Sequence, residues 1–279
     1  MVESSLADLT HLALTMAAVL IVIVGASLDL YLVFLFQRRT EPLRFLTQSE
    51  IRERPFTLYH ALQVVLVTLM GAVPVLFQKT DAPTTPEIMI ILGPVLYALM
   101  SLLIVAFCLA SSKTTFRAAF TSKSYTAKQA LAKGLFYGLA VIPPVVLLSN
   151  VISTVTEALG YTTRSQNVFD WLNDGSVSNG TRVFMMLAAV LIAPVAEEAL
   201  FRGILLPSLL KFRSLTWAAL ASSFYFALVH LHAPSLFPLI GLGLAFSAAY
   251  AKTGSLLTPI IMHALFNATS LLFYLAEKT

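Results

Sequence analysis

Residues 183–210 read VFMMLAAVLIAPVAEEALFRGILLPSLL. A bilayer-crossing helix needs about 20 predominantly apolar residues, and this stretch supplies them on both sides of three charges, Glu197, Glu198 and Arg202. In a soluble protein such a run would be a core helix, but the composition excludes that. Of 279 residues 58% are hydrophobic and 11% charged, with a mean hydropathy of +0.83, against about 25% charged in an average soluble domain. So little polar surface cannot cover a water-soluble globule. A soluble enzyme and a disordered chain are excluded, and so is a disulfide scaffold, because Cys108 is the single cysteine. The net charge of +4 reflects the Lys and Arg excess of cytoplasmic loops rather than nucleic-acid binding.

Outward from this stretch, apolar runs at 12–36, 58–77, 88–110, 127–155, 215–231, 236–250 and 256–275 give seven more helical segments. The first is interrupted by Asp29, and the fourth is expected to break at Pro143-Pro144, where two N–H groups are missing. Residues 1–11 carry Glu3 and Asp8 but no basic residue, so the first run reads as a retained span and not a secretory signal. The expected fold is all-α and polytopic, with about eight transmembrane helices in one bundle around an intramembrane polar site. Residues 1–279 form one domain, in which 1–180 supply spans and loops without catalytic motifs and 181–275 hold the polar site.

The loops set an orientation. Counting Lys128 and Lys133 with their loop and leaving out Arg202, 13 basic residues fall on one side. The other side has four, Lys79, Arg164, Arg182 and Lys278. The basic side is cytoplasmic by the positive-inside rule, so both termini are expected outside. Residues 157–182 become the largest external loop, with Tyr161 and Trp171 as interface anchors and Asn179-Gly180-Thr181 as a glycosylation triplet.

A charge inside a span costs about 2.5–3.5 kcal/mol and marks a functional site by default. Glu198 and Arg202 stand at i, i+4 on one helix face and can pair, whereas Glu197 points about 100° away and has no local partner. The alternative is that all three lie at headgroup level. Phe226 to His230 and His263 to Asn267 are two further i, i+4 pairs, each on one helix stripe. Singly, each is a helix–helix hydrogen bond; together they indicate one shared polar site. His232 reads as an interface residue, while Asp29, His11 and His60, without a partner at helical spacing, read as structural or headgroup-level. Gly241, Gly243 and Gly254 read as close-packing or turn glycines.

A carboxylate in an apolar site can act as general base on water, a neighbouring His can orient that water, and a His N–H with an Asn amide can face an oxyanion. The set suits hydrolysis of an amide. Glu197, His230 and His263 would equally suit zinc with water in the fourth place, and the residues alone leave that choice open. HExxH and GxSG signatures are absent.

The three motifs, Glu197-Glu198-Ala-Leu-Phe-Arg202, Phe226 to His230 and His263 to Asn267, resemble the EExxxR, FxxxH and HxxxN of the CPBP family of intramembrane endopeptidases (CAAX proteases and bacteriocin-processing enzymes, also called Abi). Gly243 and the turn Thr253-Gly254-Ser255-Leu256 also resemble it. The resemblance covers about the last third of the chain. It implies that Glu197 activates water with help from His230, that His263 and Asn267 hold the oxyanion, and that Glu198 and Arg202 brace the site, without a required cofactor. Eukaryotic members, the Ras-converting CAAX prenyl endopeptidases, remove three residues from prenylated CAAX proteins; bacterial members process bacteriocins or confer immunity to them. The implied partners are a peptide or lipidated-protein substrate and membrane lipids, and the expected location is the cell membrane. Two other functions remain open: a non-catalytic scaffold or immunity factor, and a proton-coupled transporter. One expectation conflicts with a shared site, since by these spans His230 lies near the outer face and His263 nearer the inner one.

Overall fold

The computed structural model describes residues 2–37, 50–76, 87–160 and 167–278. The described secondary structure is helical throughout: α1 (Val2–Gln37), α2 (Leu58–Leu76), α3 (Glu87–Ser111), α4 (Phe116–Phe120), α5 (Ala127–Ala158), α6 (Asn167–Asn173), α7 (Asn179–Leu210), α8 (Leu215–Val229), α9 (Leu236–Thr253) and α10 (Leu257–Lys278). Short 3₁₀ turns lie at Glu50–Glu53 and Ala233–Ser235. Among the described residues six helices are long and apolar enough to cross a membrane, and the apolar helices Leu58–Gly71 and Leu215–Val229 are shorter. The protein is a polytopic all-α membrane protein.

Helix α7 is the hub. Leu200, Phe201, Ile204, Leu205 and Leu206 are almost completely buried and form the main core with Phe226 of α8 and Leu242, Phe246 and Tyr250 of α9. At the periphery, Leu30 of α1 is 72% exposed and Leu102 of α3 is 64% exposed, as lipid-facing side chains are. The break expected at Pro143-Pro144 does not occur, and α5 runs through both prolines. Pro143 cannot donate to Leu139 four residues back. A Cβ added at Gly25 of α1 would lie 2.4 Å from that Leu139 carbonyl oxygen and 2.7 Å from Pro143 Cγ. Only glycine lets α1 approach the freed carbonyl this closely.

The two ends of the bundle differ. At one end, Arg54 donates to the carbonyls of Ala118, Thr121 (2.7 Å) and Gly254 (2.9 Å). Glu50 accepts from Ser122, Ser124 and the Lys123 N–H, and Lys211 reaches the Arg52 carbonyl. Ile51, Phe56, Phe120 and Tyr250 are buried beneath this network. Gly254 ends α9 in the left-handed conformation, φ 64°, and returns its N–H to Tyr250. At the other end, Glu87 accepts from Ser178 and Thr181, Phe169 stacks on Tyr274 at 4.9 Å, and Tyr274 donates to Asn173.

Several local expectations change. Arg54, counted as a loop charge, is 4% exposed and holds three segments together. Trp171 packs on the small cluster of Ile90, Val177 and Met185 instead of anchoring at an interface. Asn179 begins α7, and Thr181 is buried against Glu87, so the triplet is not a free loop acceptor. Gly241 has open space where a Cβ would stand and is not a packing glycine. His60 is structural, its Nε2 shared with Ser111 and Ser112, and His232 bonds Ser235. Tyr161, Arg38, Arg39, Arg44, Lys79 and Arg164 lie outside the described residues.

Candidate active site

The sequence of α7 places its carboxylates through two prolines. The turns Ala188–Ile192 and Ala199–Leu205 are widened to π geometry, and each is followed two residues later by Pro194 or Pro207. A proline has no N–H to give, so the ladder shifts: Ala193 bonds Ala188 and Leu206 bonds Phe201, each five residues back. Such widened turns occur frequently at functional sites. Between them stand Glu197 and Glu198, facing different neighbours.

Glu198 is fully buried. Its Oε1 accepts from Arg202 Nη1 at 2.9 Å and pairs with His263 Nδ1 at 3.0 Å. Arg202, also fully buried, gives Nη2 to the Gly243 carbonyl at 3.2 Å, and its guanidinium lies 4.4 Å from the Phe226 ring centre and 5.2 Å from that of Phe246. Gly243 permits this approach, since a Cβ there would stand 3.0 Å from Arg202 Nη2 and 2.8 Å from Ser223 Cβ. The charges are therefore inside the protein, paired, and not at headgroup level.

Glu197 is 16% exposed in its side chain, and its buried Oε2 has no hydrogen-bond partner. It faces His230 Nε2 at 3.8 Å and His263 Nε2 at 3.9 Å. Both imidazoles are fixed from behind. His230 Nδ1 donates to the Phe226 carbonyl at 2.7 Å, and His263 Nδ1 donates to Glu198. Those bonds fix the tautomer, leaving each Nε2 directed at Glu197. His263 also stacks on Phe246 with ring centres 5.2 Å apart.

Asn267 donates Nδ2 to the Ala189 carbonyl at 2.8 Å. Residue Pro194, five positions on, cannot satisfy that carbonyl in a widened turn, so the amide fills a place the proline opened. Nδ2 carries a second hydrogen, and Asn267 lines a cavity of about 260 Å³ together with Glu197, His230 and His263.

The depth conflict between His230 and His263 does not hold, since both Nε2 atoms lie within 3.9 Å of Glu197, and α8 has 15 residues, Leu215–Val229. At 1.5 Å per residue it is shorter than the hydrocarbon thickness of about 30 Å. His230 stands at its C-terminus, after which Leu231 turns with φ 52° and the 3₁₀ turn at Ala233–Ser235 leads into α9. The histidine is thus carried by an interrupted helix and not by the outer end of a full span.

Sequence reasoning brought Glu197, Glu198, Arg202, His230, His263 and Asn267 to one place but missed the rest of the cavity. Its wall includes Ser149 of α5, Val168, Phe169 and Leu172 of α6, and Ser270 of α10. The signal available for α6 was the apolar cluster Val168-Phe169 and Trp171-Leu172 within a polar loop. Zinc fits the residue types but not the present spacing. Ligand atoms about 2.0–2.1 Å from a tetrahedral ion lie about 3.3 Å apart, less than the 3.8 and 3.9 Å found. Among the described residues no three His, Cys, Asp or Glu are arranged to hold a metal.

Fold and site together define a class: a polytopic helical membrane protein with an unpaired carboxylate facing two oriented imidazoles inside the bundle. Residues 179–269 match the family model described as "Type II CAAX prenyl endopeptidase Rce1-like". The chain is also 30% identical over 83 residues to the Bacillus subtilis (strain 168) protein named "Putative membrane peptidase YdiL". That similarity spans 30% of this chain and about a third of the relative, 34% of its length. No solved structure matches the chain.

Proposed function

We propose that the protein is an integral membrane endopeptidase that hydrolyses a peptide bond of a membrane-associated substrate. The observation that carries this reading is the Glu197 Oε2 atom, buried, without a hydrogen-bond partner, and within 3.9 Å of two oriented imidazole nitrogens. One water molecule donating to Glu197 Oε2 and to His230 Nε2, about 2.8 Å from each, is the nucleophile for a carbonyl in the cavity. Glu197 takes its proton as general base and returns it to the leaving amine. His230, with Nδ1–H given to Phe226, orients the water through Nε2. His263, held at Nδ1 by Glu198, presents Nε2 to the oxyanion. The second amide hydrogen of Asn267 is the other donor. Arg202 holds Glu198 in place.

The match to the CAAX prenyl endopeptidase model makes a prenylated CAAX-type peptide the first substrate to test, and the proposed location is the cell membrane. The test is cleavage of a farnesylated CAAX peptide by purified protein, wild type beside Glu197→Gln. The variant is expected to cleave about 10²–10⁴-fold more slowly, with unchanged thermal unfolding. Equal rates would remove Glu197 from the mechanism. Absence of cleavage by the wild type, extended to non-prenylated peptides, would favour the scaffold role. The same assay with a zinc chelator is expected to show no loss, and loss restored by zinc would overturn the metal-free route.

A further inference from the structure

All cavity-lining residues belong to one half of the bundle. From Glu197 the cavity follows Phe266, Asn267, Ser270 and Leu271 along α10 toward α6, between Ser149 near the end of α5 and Leu239 in the first half of α9. This is the end where Phe169 stacks on Tyr274 and Tyr274 bonds Asn173. None of the lining comes from 50–57, 116–126, 211–214 or 252–257. That end is closed by Ile51, Phe56, Phe120 and Tyr250, each no more than 2% exposed, under the carbonyls gathered by Arg54. A Cβ at Gly203 would meet the Phe120 ring at 2.7 Å, so α7 and the plug are in full contact.

The charges orient these two ends. Among the described residues, the closed end and its flanking turns carry Arg52, Arg54, Lys113, Arg117, Lys123, Lys128, Lys133, Lys211, Arg213 and Lys252. The α6 end carries Arg182 and Lys278, with Glu87, Asp170 and Asp174 beside them. Ten cations against two place the closed end in the cytoplasm.

We infer that the active-site cavity opens on the extracytoplasmic side, under α6. Its substrate is then an extended peptide segment with apolar side chains, presented at the outer leaflet by a secreted or membrane-anchored protein. Val168, Phe169 and Leu172 supply the apolar wall of the mouth, and Ser149, Ser270 and Asn267 supply hydrogen-bonding groups for a peptide backbone. This rests on the endopeptidase reading for the word substrate, but the side of access does not.

Cys108 is fully buried, so an introduced cysteine is the one a membrane-impermeant thiol reagent reports. The near-isosteric Ser149→Cys and Ser270→Cys place a thiol on the cavity wall, and Arg213→Cys, at an exposed position, marks the closed end. In intact bacterial cells expressing the full chain, both cavity cysteines are expected to be modified and Arg213→Cys spared; in inverted vesicles Arg213→Cys is modified. Modification of Arg213→Cys from outside would overturn the orientation, and modification of the cavity cysteines only in inverted vesicles would overturn the opening. Peptide cleavage by Ser270→Cys is expected to be lost on modification, and unchanged cleavage would overturn this cavity as the substrate route. A wild type that cleaves nothing would defeat the endopeptidase reading while the labelling still decides the side of access.

Discussion

Replacing Arg202 with methionine keeps much of the side-chain volume but leaves the buried Glu198 without its counter-charge. Of the two groups on Glu198 Oε1, only His263 Nδ1 would remain. Removing one partner of a buried pair costs about 3–5 kcal/mol. The lost attraction to the Phe226 ring, 4.4 Å from the guanidinium, adds up to about 2 kcal/mol when desolvated. Each kcal/mol shifts Tm by about 2–4 °C for a chain of this order of size. Arg202→Met is therefore expected to melt roughly 6–28 °C below wild type. Removing both charges, as Glu198→Leu with Arg202→Met, leaves no orphaned ion and is expected to recover most of that loss. The assay is thermal unfolding in detergent, followed by a thiol-reactive dye on the buried Cys108, the only cysteine. If the double variant melts as low as the single one, the ion pair is not what Arg202 contributes, and the bracing role assigned to it fails.

Asn267→Ala is expected to slow cleavage about 10²–10³-fold if its amide faces the oxyanion. It should also lose about 1–3 kcal/mol in unfolding experiments, because the Ala189 carbonyl loses its donor; a full rate would end the oxyanion role. Gly243→Ala drives a methyl against Ser223 and Arg202 and is expected to cost about 1–3 kcal/mol, measured by the same dye assay, with partial recovery in combination with Ser223→Gly. Burial raises the Glu50 carboxyl, but hydrogen bonds from Ser124, Lys123 and Ser122 and the charge of Arg54 outweigh it and hold the group below its usual range. A lowered folded-state value means the stabilisation is complete above the unfolded value of about 4.3 and is lost as pH falls through the folded one. Glu50→Gln should flatten that acid limb of the stability curve, and an unchanged limb would show that Glu50 does not anchor the turn at residues 122–124.

The helices were readable from sequence because hydropathy reports their length directly, and ends such as those of α3 and α5 were found within a few residues. The six site residues were readable because charges, His and Asn are costly in a span and stand out there. What hydropathy cannot report is the path of the backbone. Leu231 takes a left-handed turn without being glycine, so the direction of the chain after α8 has no residue to announce it. The close contact of α1 with the proline turn of α5 depends on Gly25, more than a hundred positions earlier. Arg54 looks like any other loop cation until its carbonyl partners from two distant turns are in place. The cavity wall from α6 escaped for a similar reason, since a seven-residue helix is too short to show a periodic face.

The widened turns of α7 give the adjacent glutamates their different tasks. Neighbouring residues on a helix are separated by about 100° of rotation, and that angle is all that distinguishes a carboxylate locked to arginine from one facing two imidazoles. Residue count before Glu197 therefore works as a dial. With one residue fewer in the turn Ala188–Ile192, Glu198 and its partner Arg202 would rotate together by about 100°, and Glu198 would move toward the place where Glu197 stands. The identities of the two side chains are interchangeable; their phase is not.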